Sequence, residues 1–301
     1  MSAATTPVAA TAKVAKRPSP RMAAMRRFLR HRMAVLGLIV IALIVLMAVF
    51  APFITSVDPN RVNMSAGARM PPSAEHVLGT DSSARDVWAR VVHGARTSLI
   101  VGFTAVTLYI IIGVAIGLAA GFLGGPVDGL LMRFTDTILS IPPLLLMIVF
   151  VSIAGPSIGS IIAVIALLLW PPAARLVRGQ ILVLREAEFT AAARVVGLRD
   201  RDIVRKHMLP NILGPLTVVA TFGVAEAILL EAALSFLGLG VRPPDSSWGN
   251  MILDAENPVI LNDVPWMWLP AGIFITVTVL AVNFIGDGLR DAFDPRSSKR
   301  G

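Results

Sequence analysis

The 301-residue sequence has no cysteine, a single tyrosine and few charged residues, which make up 15% of the chain. Without cysteine the chain can form neither disulfides nor thiolate metal sites, and it has no cysteine nucleophile. None of its four lysines follows a glycine, so the phosphate-binding Gly-Lys-Ser/Thr loop of ATPases is absent. His-Glu-x-x-His is absent as well, and the four histidines are scattered. We therefore expect a chain that is not an enzyme and binds no cofactor or metal itself.

Hydrophobic residues, in contrast, are abundant. They make up 55% of the chain, and the mean hydropathy is +0.74, well above the composition of soluble domains. The net charge of +8 does not indicate nucleic acid, because the basic residues cluster beside hydrophobic segments, as membrane topology requires. The composition predicts a polytopic membrane protein whose main surroundings are the lipid bilayer.

Six apolar stretches are long enough to cross a hydrocarbon layer of about 30 Å as helices. They span residues 33–53, 98–122, 130–153, 158–176, 212–237 and 266–285. Glycine and proline interrupt the pattern between several of them, for example at Gly124-Gly125-Pro126 and Gly155-Pro156. Only helices and closed barrels satisfy their backbone hydrogen bonds in lipid. The predicted fold class is all-α, with six transmembrane helices.

The distribution of arginine and lysine orients these spans. Eight basic residues precede residue 33 and another eight lie between Arg175 and Lys206, whereas residues 239–265 contain a single arginine and four acids. Basic loops stay on the cytoplasmic side, so we expect both termini in the cytoplasm. The predicted organisation is a basic, disordered amino end (1–32), a first transmembrane helix (33–53), an external loop (54–97), a five-helix core (98–290) and a cytoplasmic tail (291–301). Within the core, 185–211 is a cytoplasmic loop and 239–265 an external one.

The cytoplasmic loop carries a helical pattern of its own. Phe189, Ala192, Ala193 and Val196 recur at helical spacing, and Gly197 then supplies the freedom for a turn. We predict that Asp200 caps a second short helix. That helix should end before Pro210, since proline biases the preceding Leu209 out of helical conformation. Periodicity alone leaves two interpretations open, a helix lying on the lipid headgroups or a docking segment for a soluble partner.

The residues of this loop resemble a known motif. Ala191-Ala192-Ala193, Gly197 and Met208-Leu209-Pro210 are similar to the cytoplasmic EAA loop of bacterial ABC-transporter permeases, with Ala191 where that family usually has glutamate. The resemblance implies that the loop docks on an ATP-hydrolysing subunit. Its implied coupling residues are Ala191, Ala192, Ala193, Gly197, Asp200, Leu209 and Pro210.

Three further segments, 76–99, 231–251 and 283–296, resemble the dipeptide, oligopeptide and nickel permeases, and the basic lead-in with its first span resembles the DppC/OppC type. The implied architecture is that of a type I, MetI-like ABC importer. The implied partners are a homologous second permease forming a heterodimer, two cytoplasmic ATPase subunits that bind ATP and Mg, and an external substrate-binding protein. The implied location is the bacterial inner membrane, and the implied cargo is a dipeptide or oligopeptide.

Two alternatives remain for the transported cargo and the mechanism. The first is an ABC importer for nickel or another small solute. The second is a secondary transporter, for which we expect an inverted repeat and buried ion-coupling charges. Neither feature is evident in the sequence, and a secondary transporter has no use for the coupling motif.

Two glutamates stand within the predicted fifth span. Burying a charge in a membrane is costly unless the charge is paired or wetted, so Glu226 either lines the translocation path or is a protonated or arginine-paired structural group. Glu231 lies nearer the outer end and on another face, where we expect it to fix a helix end or an outer gate. In the third span, Arg133 and Asp136 are three residues apart, which predicts a local ion pair.

Overall fold

A computed structural model describes residues 20–65, 67–242 and 245–293 of the chain. This part is helical and contains no β-strand; an isolated bridge pairs Thr80 with Asp86. The longer helices are α1 (Pro20–Arg30), α2 (Arg32–Val49), α4 (Val87–Leu123), α5 (Gly125–Leu139), α6 (Pro143–Ala154), α7 (Ile158–Arg185), α8 (Glu188–Val195), α10 (Leu209–Phe236) and α13 (Leu269–Phe293). The shorter ones are α3 (Ala51–Ile54), α9 (Asp200–Ile203), α11 (Trp248–Leu253) and α12 (Pro258–Asp263).

In the described part of the chain, five helices are long and apolar enough to cross a membrane: α2, α4, α7, α10 and α13. The pair α5 and α6 passes the same test when its two helices are taken together, although it is bent by 86°. Counted as one span, this pair gives the six spans that the sequence predicts.

The third predicted span, 130–153, is therefore not one straight helix. The chain leaves α5 at Ser140 and enters α6 through Pro142 and Pro143. Proline has no backbone N–H and restricts the residue before it to extended conformations. Two adjacent prolines thus end one helix and start another, which produces the sharp bend.

Helices α4 and α7 form the centre of the bundle. Gly113, Gly117 and Gly121 form a stripe along α4, and α7 packs so closely on this stripe that a methyl group on any of them would collide with it. The apolar core around this contact includes Val106, Ile165 and Trp170. The small-residue spacing in the sequence therefore serves packing within the chain, because it lets two backbones approach closely.

Two helices extend beyond the predicted spans. Helix α4 begins at Val87, where the Asp86 side chain accepts a hydrogen bond from the Ala89 N–H at 2.7 Å, so eleven residues of the expected external loop are helical. Helix α7 continues through Pro171 and Pro172 to Arg185, since neighbouring helices support a membrane helix across proline.

The expectation of a disordered amino end is wrong for residues 20–30, which form α1. This short helix is stabilised by packing on α13, where Phe28 contacts Ala292 and Leu289. Residues 1–19 lie outside the described residues. At the other end, α13 reaches Phe293, so the first three residues of the expected tail are helical, and 294–301 also lie outside the described part.

Candidate functional site

The segment between α7 and α10 (residues 186–208), which we call the coupling loop after the motif that it resembles, packs against the bundle with one of its sides. Thr190 is fully buried and donates its hydroxyl to the Leu184 carbonyl at 2.7 Å. Ala193, Ile203 and Met208 are buried in an apolar cluster with the adjoining ends of α7 and α10. The loop therefore keeps a defined shape in the chain on its own.

Gly197 ends α8 in a Schellman motif. Its φ is +83°, its N–H bonds to the Arg194 carbonyl at 3.0 Å, and the Leu198 N–H bonds to the Ala193 carbonyl at 3.1 Å. These are the two hydrogen bonds that define the motif, which favours glycine at the left-handed position. No other atom lies within 4 Å of a Cβ placed at Gly197, so backbone conformation, not crowding, requires the glycine.

The exposed side of α8 is mostly apolar and also carries Glu188. Val195 and Val196 are 88% and 82% exposed, and Ala191, Ala192 and Phe189 are exposed as well. The predicted stripe of Phe189, Ala192, Ala193 and Val196 is therefore not the packed face, because only Ala193 is buried. Thr190 takes part in the packing instead, since its hydroxyl donates to the Leu184 carbonyl at the end of α7, which also accepts the Ala187 N–H at 3.3 Å.

Two predictions about the second short helix are wrong. The residue that caps α9 is Arg199, without a side-chain hydrogen bond, and Asp200 is the first helical residue, its Oδ1 lying 3.8 Å from Arg194 Nε. Leu209 and Pro210 do not lie outside a helix; they begin α10, which follows a π-helical turn at Val204–Met208. The backbone stays helical from Asp200 through this turn to Phe236, so the second short helix does not end before Pro210 but continues into α10.

Glu231 of α10 is fully buried and surrounded by serines. Its Oε1 accepts the Ser235 and Ser247 hydroxyls, both at 2.8 Å, and its Oε2 accepts the Ser98 hydroxyl at 3.3 Å. Ser98 Oγ also accepts the Trp248 N–H at 3.1 Å, and Ser247 Oγ accepts the Asn250 N–H at 3.1 Å. Because these oxygens already accept backbone donors, their single protons point to the carboxyl group.

This hydrogen-bond network joins three parts of the chain. Ser98 belongs to α4, Glu231 and Ser235 to α10, and Ser247 caps α11 in a capping box with Asn250. Trp248 is fully buried beside them, and its indole N–H donates to the Val91 carbonyl at 3.0 Å. The described residues of the segment 238–263, which we call the outer segment because the sequence predicts it on the external side, are thereby fixed to α4 and α10.

Glu226 differs from Glu231 in its surroundings. It is exposed on the surface of the isolated chain, and among the described residues no arginine or lysine lies within 4 Å of its carboxyl group. Glu231 lies five positions further along the helix, at i+5, which places the two side chains on different faces of α10. The structure therefore does not bring the two glutamates into one site.

Sequence reasoning missed two ion pairs between α5 and α7. Asp128 accepts two hydrogen bonds from Arg178, at 2.5 and 2.6 Å. Asp136 pairs with Arg175, so the predicted pair with Arg133 is not formed. Both partners lie about 40 to 50 residues away in sequence, and a helical spacing rule detects only neighbours on one helix.

A second missed cluster lies beside the outer segment. The buried Arg90 pairs with Asp81, which Arg85 also contacts at 2.7 Å, and Arg90 Nε lies 3.5 Å from Ser246 Oγ. Burial raises the pKa of the nearby Asp254, and the positive charge of Arg90 opposes this shift. The cluster joins the loop before α4 to the outer segment.

The described residues offer no group of three or more His, Asp or Glu side chains able to hold a metal ion. Gly155–Gly159 spells Gly-x-Ser-x-Gly, a pattern found in hydrolases, but its serine has another use. Ser157 caps α7 by accepting the Ser160 N–H at 3.0 Å. No strand precedes it within the described ranges, whereas a nucleophile elbow requires a strand-to-helix turn.

Comparisons with known proteins match most of the chain. The family model described as "Binding-protein-dependent transport system inner membrane component" matches residues 113–299, and the N-terminal transmembrane domain of oligopeptide transport permease C matches residues 19–72. A Brucella abortus protein, named provisionally as a peptide transport system permease, is 43% identical over 94% of both chains. The dipeptide transport system permease protein DppC of Alkalihalophilus pseudofirmus is 44% identical over 92% of this chain and 90% of its own.

A solved structure shares the fold. It is a chain of the MetNI methionine ABC transporter in inward-facing conformations, which matches with a TM-score of 0.56 and 19% identity over 68% of this chain and 97% of its own. The predicted MetI-like, all-α membrane architecture is thereby confirmed.

Proposed function

We propose, from the premise that this chain belongs to the family of binding-protein-dependent transport system inner membrane components, that it is one of two permease subunits of an ATP-driven peptide importer. The names of the relatives at 43–44% identity support a dipeptide or oligopeptide as cargo. The partners are a homologous second permease, two ATPase subunits that bind ATP and Mg, and an external binding protein. The chain itself binds no cofactor.

One observation carries the coupling role. The coupling loop is held in shape from inside by Thr190, Ala193 and Ile203, yet it presents Val195 and Val196 almost fully to solvent. An ordered, exposed apolar surface outside the spans is typical of a protein contact. We assign that surface to an ATPase subunit, and with it Ala191, Ala192, Ala193, Gly197, Asp200, Leu209 and Pro210 as the residues that shape or present it.

Transport then follows from two conformations. Closure of the ATPase subunits moves the coupling loops, and the two permeases change the side to which the path between them opens. Glu226, exposed on this chain, faces that path, where a carboxylate attracts the amino terminus of a peptide. The chain is inserted in a bacterial inner membrane with both termini in the cytoplasm, and the outer segment receives the binding protein.

The test compares two exposed apolar residues in different loops. Val196→Asp places a charge on the exposed apolar side of the coupling loop, and Met64→Asp places one in the loop before α4. The two residues are matched in exposure, at 82% for Val196 and 83% for Met64. Tagged transporter is solubilised gently, and the recovered ATPase subunits and the ATP-dependent uptake of a labelled dipeptide are measured. We expect Val196→Asp to lose most of both, and Met64→Asp to retain the ATPase subunits.

Equal recovery of ATPase subunits from the two variants would overturn the coupling assignment. Normal coupling together with uptake of nickel or another small solute, but not of peptides, would overturn the cargo assignment alone. Uptake that persists without ATP and follows an ion gradient would indicate a secondary transporter.

A further inference from the structure

The amino-terminal helix α1 has an apolar side and a basic side. Successive residues of a helix are about 100° apart, so the apolar and the basic residues of α1 lie on opposite sides of the helix axis. Ala24, Met25, Phe28 and Leu29 fall on one side, and Arg26, Arg27 and Arg30 fall on the other. Met25 and Leu29 are 60% and 57% exposed, so the apolar side is only partly covered by the chain. Such a helix is suited to the boundary between headgroups and acyl chains.

Packing holds α1 in place against α13. The Phe28 ring lies against Gly288, where a Cβ would come within 3.3 Å of it, and Arg27 Nη1 donates to the Ala292 carbonyl at 3.3 Å. His31 then separates α1 from α2, its Nδ1 accepting the Ala34 N–H at 3.1 Å. Helix α1 is therefore an ordered part of the bundle that presents its remaining apolar surface in a fixed direction.

A groove of about 290 Å³ opens between α1, α2 and α13. Every side chain along it is apolar: Ala24, Met25, Phe28, Leu29, Leu38, Leu289, Ala292 and Phe293. Leu38 lies six residues into α2, about 9 Å along the first span, and is 45% exposed. The groove thus runs from α1 into the depth of the hydrocarbon layer, where an acyl chain can fill it without leaving a polar group unpaired.

The charges beside the groove differ between the two helices. Arg26 and Arg30 on α1 are basic, whereas Asp291 on α13, which directly precedes the groove residue Ala292, is an acid that lies 3.6 Å from His31. Arg26 and Arg30 are exposed, lie four residues apart on one side of α1, and directly follow the groove residues Met25 and Leu29. No carboxylate of the described chain lies within 4 Å of either arginine. Guanidinium groups bind phosphate oxygens in pairs of hydrogen bonds, and basic residues at a membrane surface favour anionic lipids.

We propose that the groove binds an acyl chain of an anionic phospholipid, with the lipid phosphate held by Arg26 and Arg30. The apolar walls select a lipid over a soluble ligand, and the two arginines select an anionic headgroup over a zwitterionic one. The proposal requires only that α2 spans the membrane and does not depend on the direction or cargo of transport.

The experiment uses the assembled transporter in micelles that contain equal amounts of phosphatidylglycerol and phosphatidylcholine, with lipids that remain bound counted by native mass spectrometry. We expect the wild type to retain phosphatidylglycerol preferentially and Arg26→Gln/Arg30→Gln to lose at least about fivefold of that preference. The matched control is Arg61→Gln/Arg133→Gln, which removes two exposed arginines elsewhere and should keep the preference. Leu38→Trp, which fills the groove, should lower retention of both lipids.

An unchanged lipid preference in the Arg26→Gln/Arg30→Gln variant would overturn the proposal. The proposal also fails if Leu38→Trp releases the second permease while the number of bound lipids stays the same, because the groove would then be a contact between proteins. If the control variant loses the lipid preference as much as Arg26→Gln/Arg30→Gln does, the preference depends on the total charge of the protein, and the proposed lipid site is wrong.

Discussion

In the coupling loop and at the start of the outer segment, a glycine ends a helix with the same type of cap, but the residues around the two caps differ. Gly238 ends α10 as Gly197 ends α8, with a φ of +75°, its N–H on the Ser235 carbonyl at 3.0 Å and the Leu239 N–H on the Leu234 carbonyl at 2.9 Å. Both are Schellman caps. Ser247, nine positions after Gly238, donates to the buried Glu231 carboxylate, whereas Val196, the residue before Gly197, is 82% exposed.

The difference shows how each end depends on other chains. In the outer segment, Ser247 donates to the buried Glu231 carboxylate, which also accepts the Ser98 hydroxyl, so hydrogen bonds within this chain hold this end. The coupling loop has an ordered packed side and exposed apolar residues on its other side, and we expect a partner subunit to cover these residues. Local stability follows the number of buried contacts, and mutations at the two ends should therefore be detected by different measurements.

The largest effect is expected from Glu231→Leu. The substitution removes the acceptor of three serine hydroxyls in a buried site, which should cost about 2–4 kcal/mol and lower the melting temperature by about 5–10 °C. Glu231→Gln keeps an amide oxygen for the Ser235 and Ser247 hydroxyls and should lower it by less than about half as much. Thermal unfolding of the purified transporter, followed by tryptophan fluorescence, measures both changes.

Equal melting temperatures for Glu231→Leu and Glu231→Gln would mean that the hydrogen bonds do not hold the outer segment. The contrast between the two ends would then rest on apolar packing around Trp248 alone.

A smaller effect is expected from the matched pair Gly197→Ala and Gly238→Ala. Both positions have positive φ and no atom within 4 Å of an added Cβ, so each alanine should introduce about 1–2 kcal/mol of backbone strain. At Gly238 the strain acts on a network joined to the core, and we expect a lower melting temperature. At Gly197 it acts on a peripheral loop, and we expect severalfold lower uptake and ATPase stimulation with little change in melting.

The comparison between the two ends fails if Gly197→Ala lowers the melting temperature as much as Gly238→Ala does and leaves uptake unchanged. That result would place the coupling loop in the same cooperative unit as the outer segment.

Much of this fold is readable in the sequence because lipid restricts the alternatives. Apolar length predicts helices, since no other open structure satisfies its backbone in a membrane, and the motif residues around Ala191 to Gly197 predict the family that the comparisons confirm. The turn at Gly197 also follows from local chemistry, because few residues other than glycine adopt its φ.

What escaped prediction depends on contacts between distant parts of the chain. The packed side of α8 is chosen by Thr190 and the Leu184 carbonyl, not by the apolar stripe that periodicity favours. Pro210 begins a helix because a π-helical turn precedes it, which a rule about proline and its neighbour cannot detect. The serines around Glu231 come from residues 98, 235 and 247, and no short pattern links them.

The smallest effects are expected from the two ion pairs that join α5 to α7, the helix that leads into the coupling loop. Asp128 is 17% and Arg178 34% exposed, whereas Asp136 and Arg175 are both more than half exposed. Water screens the exposed pair, so Asp136→Asn should change the melting temperature by less than about 1 °C. Asp128→Asn, which leaves Arg178 one of its two acceptor oxygens and no charged partner, should cost about 1 kcal/mol. The exchange Asp128→Arg/Arg178→Asp should restore part of that loss and, with it, any loss of uptake. A different outcome would give the pair a role in transport: Asp128→Asn lowers uptake without lowering the melting temperature, and the exchange restores uptake. The pair would then transmit movement from the coupling loop to α5, and the effect of the partner subunits would reach from that loop into the bundle.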